Sequence, residues 1–328
     1  MTTSPYAPIH PVDVFAAAKR IRGIVIRTPL RKSDKLSALA GLDVYLKLEN
    51  EQKTGSFKLR GAYNALALLT RQERERGVVA ASAGNHGQGV ALAARELGIH
   101  ATIFVPASAP KVKKDGIRSF GATIDESQPH YDAAHAAAVE HAERVGATYV
   151  DPCSGGTLLA GQGTVGLEIL EDLPDVGTIV VPLGGAGLAS GVADFIRSTA
   201  PHVRIVGVQS EHTNALALSL DAGHIVGIPD EPTLADGLAG QADEGALELT
   251  RRSVDEITVV TEDELGFAMA WLSREEGVKA EGAGSVAVAA MLRRQPHRFR
   301  PPVVLIVSGG NVDGERLTRL LERYRPTS

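Results

Sequence analysis

Apolar positions in this chain alternate between two rhythms, short continuous runs and helix-spaced stretches. From about residue 77 the order is strand, Gly-rich turn, helix, and it repeats. GVVAAS at 77–82 runs into the turn AGNHG and a helix to about Leu97, ATIFVP at 101–106 precedes a basic helix, ATID at 122–125 precedes an Ala-rich helix over 131–145, and ATYVDP closes the set at 152. A second set comprises TIVVPL at 178–183, RIVGVQ at 204–209, EITVV at 256–260 and PVVLIVS at 302–308, with helices over about 262–276 and 283–294 between the last two. Ahead of both, Val14, Ala17, Ala18 and Ile21 share a helix face that Asp13 can cap. An extended stretch at Thr28–Leu30, a helix near Ser33–Ala40 and a strand-like DVYLKLE at 43–49 follow.

Strands alternating with helices predict right-handed crossovers and parallel sheets covered on both faces, an α/β fold. Two such sets of unequal size predict two open-sheet domains, residues 71–151 forming the smaller and residues 1–70 joining 152–328 in the larger. A cleft then separates them, and the turns after the strands are where a ligand belongs.

At 328 residues and 44% apolar composition the chain can bury a large core. The net charge of -5 and the dispersed Lys and Arg residues provide no basic field for nucleic acid. MTTSPYAPIHPVDVF lacks a basic start and an apolar core, and no run approaches the ~20 apolar residues of a membrane span. The expectation is a cytoplasmic protein without membrane contact. One cysteine, Cys153, excludes an internal disulfide and a cysteine metal cluster.

Four turns and one lysine carry candidate chemistry. GGAGLASG, 184–191, joins an apolar strand to a helix, so its backbone amides can converge on a phosphate at a helix N-terminus. A dinucleotide site is the rival, since Gly185, Gly187 and Gly191 have GxGxxxG spacing. It wants an acidic residue after the next strand, where Gln209 stands, and a glycine where Ser190 stands. Ser82, Ala83, Gly84, Asn85 and His86 also follow a strand and open a helix, a place for a carboxylate. Ser308-Gly309-Gly310-Asn311 follows the most apolar strand, and Glu281 precedes a small-residue turn. Lys58 follows Ser56 and Phe57 at the mouth of a helix, where desolvation favours the neutral amine that makes a Schiff base. Its neighbours Lys47, Lys53 and Arg60 read as ordinary surface charges.

KLENEQKTGSFKLRGA, SAGNHGQGVA, AGQGTVGLEIL, GGAGL, TLADGLA, EGAGS and VSGGN occur in one chain. Together they resemble the fold-type II pyridoxal-phosphate enzymes, within them the threonine/serine dehydratase and serine racemase group, from about Pro29 to the end. The resemblance implies pyridoxal 5'-phosphate in Schiff-base linkage to Lys58, beside Phe57. It implies the phosphate on Gly184, Gly185, Ala186, Gly187 and Leu188, the ring hydroxyl near Asn85, the ring nitrogen on Ser308 and Glu281 close to the ring. The loop Ser82 to His86 would take the substrate carboxylate. A homodimer acting on a small amino acid is implied with it.

Branch-specific residues sharpen the expectation. Leu59 stands where cysteine-synthase and threonine-synthase relatives usually carry aspartate. Ala83 stands where the racemase has its acid/base serine, which leaves Lys58 as the base at Cα and favours α,β-elimination over racemisation. Gln209 and Ala215 replace the carboxylates of a divalent-cation site, so no metal is expected, with Glu211 and Asp236 as remaining oxygen donors. Cys153 stands where relatives commonly have phenylalanine. Nothing after about residue 313 exceeds one helix, so no C-terminal regulatory domain is expected. The preferred substrate stays open among threonine, serine, threo-3-hydroxyaspartate and bulkier 3-hydroxy amino acids.

Overall fold

Ten strands build two sheets in the computed structural model, which describes residues 6–293 and 298–325. In chain order they are β1 (Leu30–Lys32), β2 (Val44–Leu48), β3 (Val78–Ala81), β4 (Ala101–Pro106), β5 (Thr123–Gln128), β6 (Thr148–Tyr149), β7 (Thr178–Pro182), β8 (Arg204–Ser210), β9 (Glu256–Val260) and β10 (Val303–Val307). The larger sheet runs β1-β2-β10-β7-β8-β9 and the smaller β5-β4-β3-β6. All pairings are parallel except β1 with β2, an antiparallel edge. Val303 pairs with Val44 on one side and Thr178 on the other, so the carboxyl ends of β2, β10 and β7 lie in a row.

The apolar runs are continuous because both faces of these strands are buried. Val304 and Ile306 of β10 face a core built with the helices Gly156–Asp172 and Gly187–Thr199, while Val303, Leu305 and Val307 face a second core with the helices Glu262–Trp271 and Gly282–Leu292. The helix Gly282–Leu292 is buried at every residue through Met291. A helix apolar all round belongs between layers rather than at a surface. The smaller sheet is covered by the helices Asn85–Leu97 and Tyr131–Val145.

Local chemistry moved one boundary. The first helix spans Pro11–Ile21 with His10, not Asp13, as the cap. Proline is favoured in a first turn because it lacks the amide that would go unpaired there, and Asp13 instead accepts from the His10 amide at 3.0 Å. No helix among the described residues is long and apolar enough to cross a membrane.

Candidate active site

The helix Lys58–Ala67 starts against the end of β10. Phe57 donates its amide to the Ser308 carbonyl at 3.1 Å, and Ser56 forms an isolated bridge with Gly309. Lys58 Nζ lies 5.2 Å from the Phe57 ring centroid and donates to the Pro152 carbonyl oxygen at 2.7 Å. The lysine of the first helical turn therefore reaches from the larger sheet toward the segment that leaves the smaller one.

The glycine turn follows β7. Ala186 has φ 61, a left-handed conformation that no other non-glycine among the described residues adopts, and it caps the helix Gly187–Thr199. The first amides of that helix have no helical acceptor and face outward along its dipole. Cys153 closes over the turn: a β-carbon at Gly185 would stand 2.4 Å from its sulfur. Only glycine permits that approach. Burial pushes the Cys153 thiol up, while Lys58 and the Gly187 amide act in the opposite direction.

After β3, Ser82 accepts from the Gly84 amide at 3.1 Å, and Ala83 contributes no polar side chain to the loop. His86 is buried, and its Nε2 meets the Val150 carbonyl at 2.9 Å. Its pKa is lowered to about 4 by burial and then by Lys58, so the ring is neutral near pH 7. The other nitrogen, Nδ1, is buried without a partner. Asn85 donates to Glu281 at 2.5 Å and accepts from Asn311 at 2.7 Å. These bonds join the smaller sheet's loop to two turns of the larger one. Burial pushes Glu281 up to about 7, against the Asn85 hydrogen bond. Ser308 is buried, its hydroxyl 3.4 Å from the Ala283 carbonyl, a weak contact that leaves it available to a ligand.

Lys58, Phe57, Asn85, His86, Glu281, Ser308 and the glycine turn thus gather around the carboxyl ends of β3, β7 and β10. Arg60 and Lys47 correct the sequence reading, since both are fully buried. Arg60 donates to Glu49 at 2.8 Å and Glu168 at 2.7 Å, and Lys47 to Glu168 at 2.5 Å and the Thr28 carbonyl at 2.7 Å. Burial alone would raise Glu49, but Arg60 more than reverses it, and Glu49 is lowered. This network holds the lysine helix from below. Its only sequence signal is that Arg60 is followed by Gly61 and Ala62 on a helix of small and apolar residues.

Gln209 sits at the end of β8, and its amide closes the next loop, donating to the Thr213 carbonyl at 2.7 Å and accepting from the Ala217 amide at 2.9 Å. Glu211 accepts from the Glu262 amide at 2.8 Å, and Asp236 pairs with Lys113 at 2.6 Å.

Comparison with known proteins identifies the family. The chain is 45% identical to an L-threonine ammonia-lyase of Thermotoga maritima over 95% of its own length and 78% of that protein. It is 38% identical to the catabolic L-threonine dehydratase TdcB of Escherichia coli over 95% of this chain and 96% of that one. The fold superposes on maize serine racemase with a TM-score of 0.90 and 33% identity, covering 97% of this chain and 98% of that one. The family described as "Pyridoxal-phosphate dependent enzyme" matches residues 21–309, from the first helix through the turn after β10, and the chain belongs to that family.

Proposed function

We propose that the protein is a pyridoxal-phosphate-dependent ammonia-lyase that converts a β-hydroxy amino acid of the L-threonine or L-serine type into a 2-oxo acid and ammonia by α,β-elimination. The observation that carries this reading is a lysine amine set among the glycine turn, the segment that covers it and the loop Ser82–His86, in which Ala83 has no exchangeable proton. The relatives named as threonine ammonia-lyase and dehydratase support it.

The residues fit the cofactor. The turn Gly184–Leu188 presents the amides of a helix N-terminus to a phosphate, and the neutral hydroxyl of Ser308 suits a ring nitrogen without protonating it. Asn85 keeps a second amide hydrogen for a ring hydroxyl beyond the one given to Glu281. When bound, pyridoxal phosphate withdraws electrons from the substrate and acidifies its Cα–H. Lys58 would be its attachment point and, as a free amine beside the bound substrate, would take the Cα proton. The loop Ser82–His86 orients the substrate carboxylate, with Glu281 near the ring. Loss of the β-hydroxyl as water and hydrolysis of the resulting enamine leave the oxo acid and ammonia.

Racemisation is the second reading, favoured by the likeness to maize serine racemase. It requires an acid/base group on the face opposite Lys58, and Ala83 does not provide one. Purified enzyme given L-serine should form chiefly pyruvate, and D-serine as the main product would reverse the assignment. Among threonine, serine and larger 3-hydroxy amino acids, oxo-acid formation identifies the substrate. Lys58→Ala should lose at least ~10³-fold in kcat and borohydride-fixed cofactor, with its circular dichroism unchanged. A cytoplasmic homodimer completes the proposal, on the strength of the sequence resemblance, and sedimentation measures the assembly.

A further inference from the structure

One wall of the site carries a charge that the reaction does not use. Residues 149–153 run from the carboxylate loop to the glycine turn: Val150 meets His86, Pro152 meets Lys58, and Cys153 covers Gly185. Asp151 stands between them. Its Oδ1 accepts from the Cys153 amide at 2.8 Å and the Ser154 amide at 2.7 Å, which fixes the carboxylate in a tight turn. Its Oδ2 has no partner among the described residues.

No cation among the described residues pairs with it directly. Lys58 gives its hydrogen bond to a carbonyl rather than to this carboxylate, Lys113 is held by Asp236, and His86 is uncharged near pH 7. Tyr131 and Tyr149 line the same wall, and the Tyr149 hydroxyl is buried without a partner. Both phenols are raised, by burial first and then in part by Asp151. Cys153 is raised by burial and by Asp151 as well. Asp151 thus lies within electrostatic reach of all three groups.

We infer that Asp151 sets side-chain specificity in this site, admitting amino acids with a neutral side chain and rejecting those that carry a second carboxylate. The inference rests on the amino-acid lyase reading and narrows it to substrates of the serine and threonine class, excluding threo-3-hydroxyaspartate. Two carboxylates brought close in a partly desolvated cleft repel strongly enough to change affinity by roughly tenfold or more.

The test is Asp151→Asn, which keeps the Oδ1 acceptor for both amides and removes the charge. L-Aspartate and L-asparagine have the same shape and lack a β-hydroxyl, so their binding to the holoenzyme, measured by calorimetry, needs no turnover. The wild type should bind L-aspartate at least ~10-fold more weakly than L-asparagine, and Asp151→Asn should shrink that ratio by about the same factor. The ratio of kcat/KM for L-serine over threo-3-hydroxyaspartate should fall in parallel. A ratio that Asp151→Asn leaves unchanged in both measurements overturns the inference. If no hydroxy amino acid yields an oxo acid but the binding ratio still responds, the lyase reading fails and the role of Asp151 stands.

Discussion

Gly89 lies against the backbone of Lys58: a β-carbon there would stand 3.1 Å from the Lys58 carbonyl carbon and 3.3 Å from its Cβ. The helices Lys58–Ala67 and Asn85–Leu97 meet backbone to backbone at this point. Lys58 and the loop Ser82–His86 are therefore fixed to each other directly as well as through the turn Ser308–Asn311, which bonds both Phe57 and Asn85. Gly89→Val forces them apart, at about 1–3 kcal/mol of stability. Misplacing the amine should cost more, on the order of 10²-fold in kcat at a temperature where the variant remains folded. Equal loss from Gly89→Val and from an unrelated core substitution of matched Tm would show that the contact is only structural.

Glu281 makes stability depend on pH. Burial raises its pKa to about 7 in the folded protein, above the ordinary value of 4.5 it returns to on unfolding. The native state thus holds a proton that the unfolded chain releases first, so stability is fully present below about pH 4.5 and declines as pH rises toward 7. Glu281→Gln keeps the acceptor for Asn85 and cannot ionise. Urea unfolding at pH 5 and pH 8 should show the wild type losing on the order of 2–3 kcal/mol relative to this variant. Parallel curves would remove Glu281 as the source.

Arg60→Met leaves Glu49 buried without its main partner. Removing one member of a buried ionic network typically costs about 3–5 kcal/mol. The variant should recover part of that loss as pH falls, because Glu49 can then be protonated. Chemical denaturation across pH 5–8 reads both effects, and a loss under about 1 kcal/mol would mean that Lys47 replaces Arg60 electrostatically.

Gln209 closes its loop with one donor and one acceptor and no charge. A chelator should therefore leave the wild-type Tm unchanged. Gln209→Glu turns a carboxylate oxygen toward the Thr213 carbonyl and loses the donor, at about 1–3 kcal/mol. Added Mg²⁺ should raise the Tm of this variant and not of the wild type. A wild-type Tm that falls with chelation would indicate a cation elsewhere.

The strands and turns were legible because each is written locally. A strand buried on both faces needs a continuous apolar run, and a chain that approaches Cys153 or Glu281 as closely as Gly185 and Gly309 do needs glycine. Lys58 was legible through its neighbours on either side. Arg60 and Lys47 were not, because an isolated charge reads as solvated until its partner is known, and Glu168 lies over a hundred residues away. Asn85 and Glu281 show the same limit: the residues were singled out separately, and the bond between them exists only once both sheets are assembled. Asp151 escaped notice because its hydrogen bonds are those of an ordinary local turn, and only the fold brings His86 and Lys58 to the residues on either side of it.

The partners of Arg60 come from both sides of the smaller sheet, Glu49 before it and Glu168 after it. During synthesis the ribosome releases Lys47, Glu49 and Arg60 long before Glu168. An incomplete chain has two cations to one carboxylate beneath the lysine helix, and seating that helix would bury a net positive charge. The charge beneath the lysine helix is therefore balanced only once the helix Gly156–Asp172, which carries Glu168, has been made and packed against it.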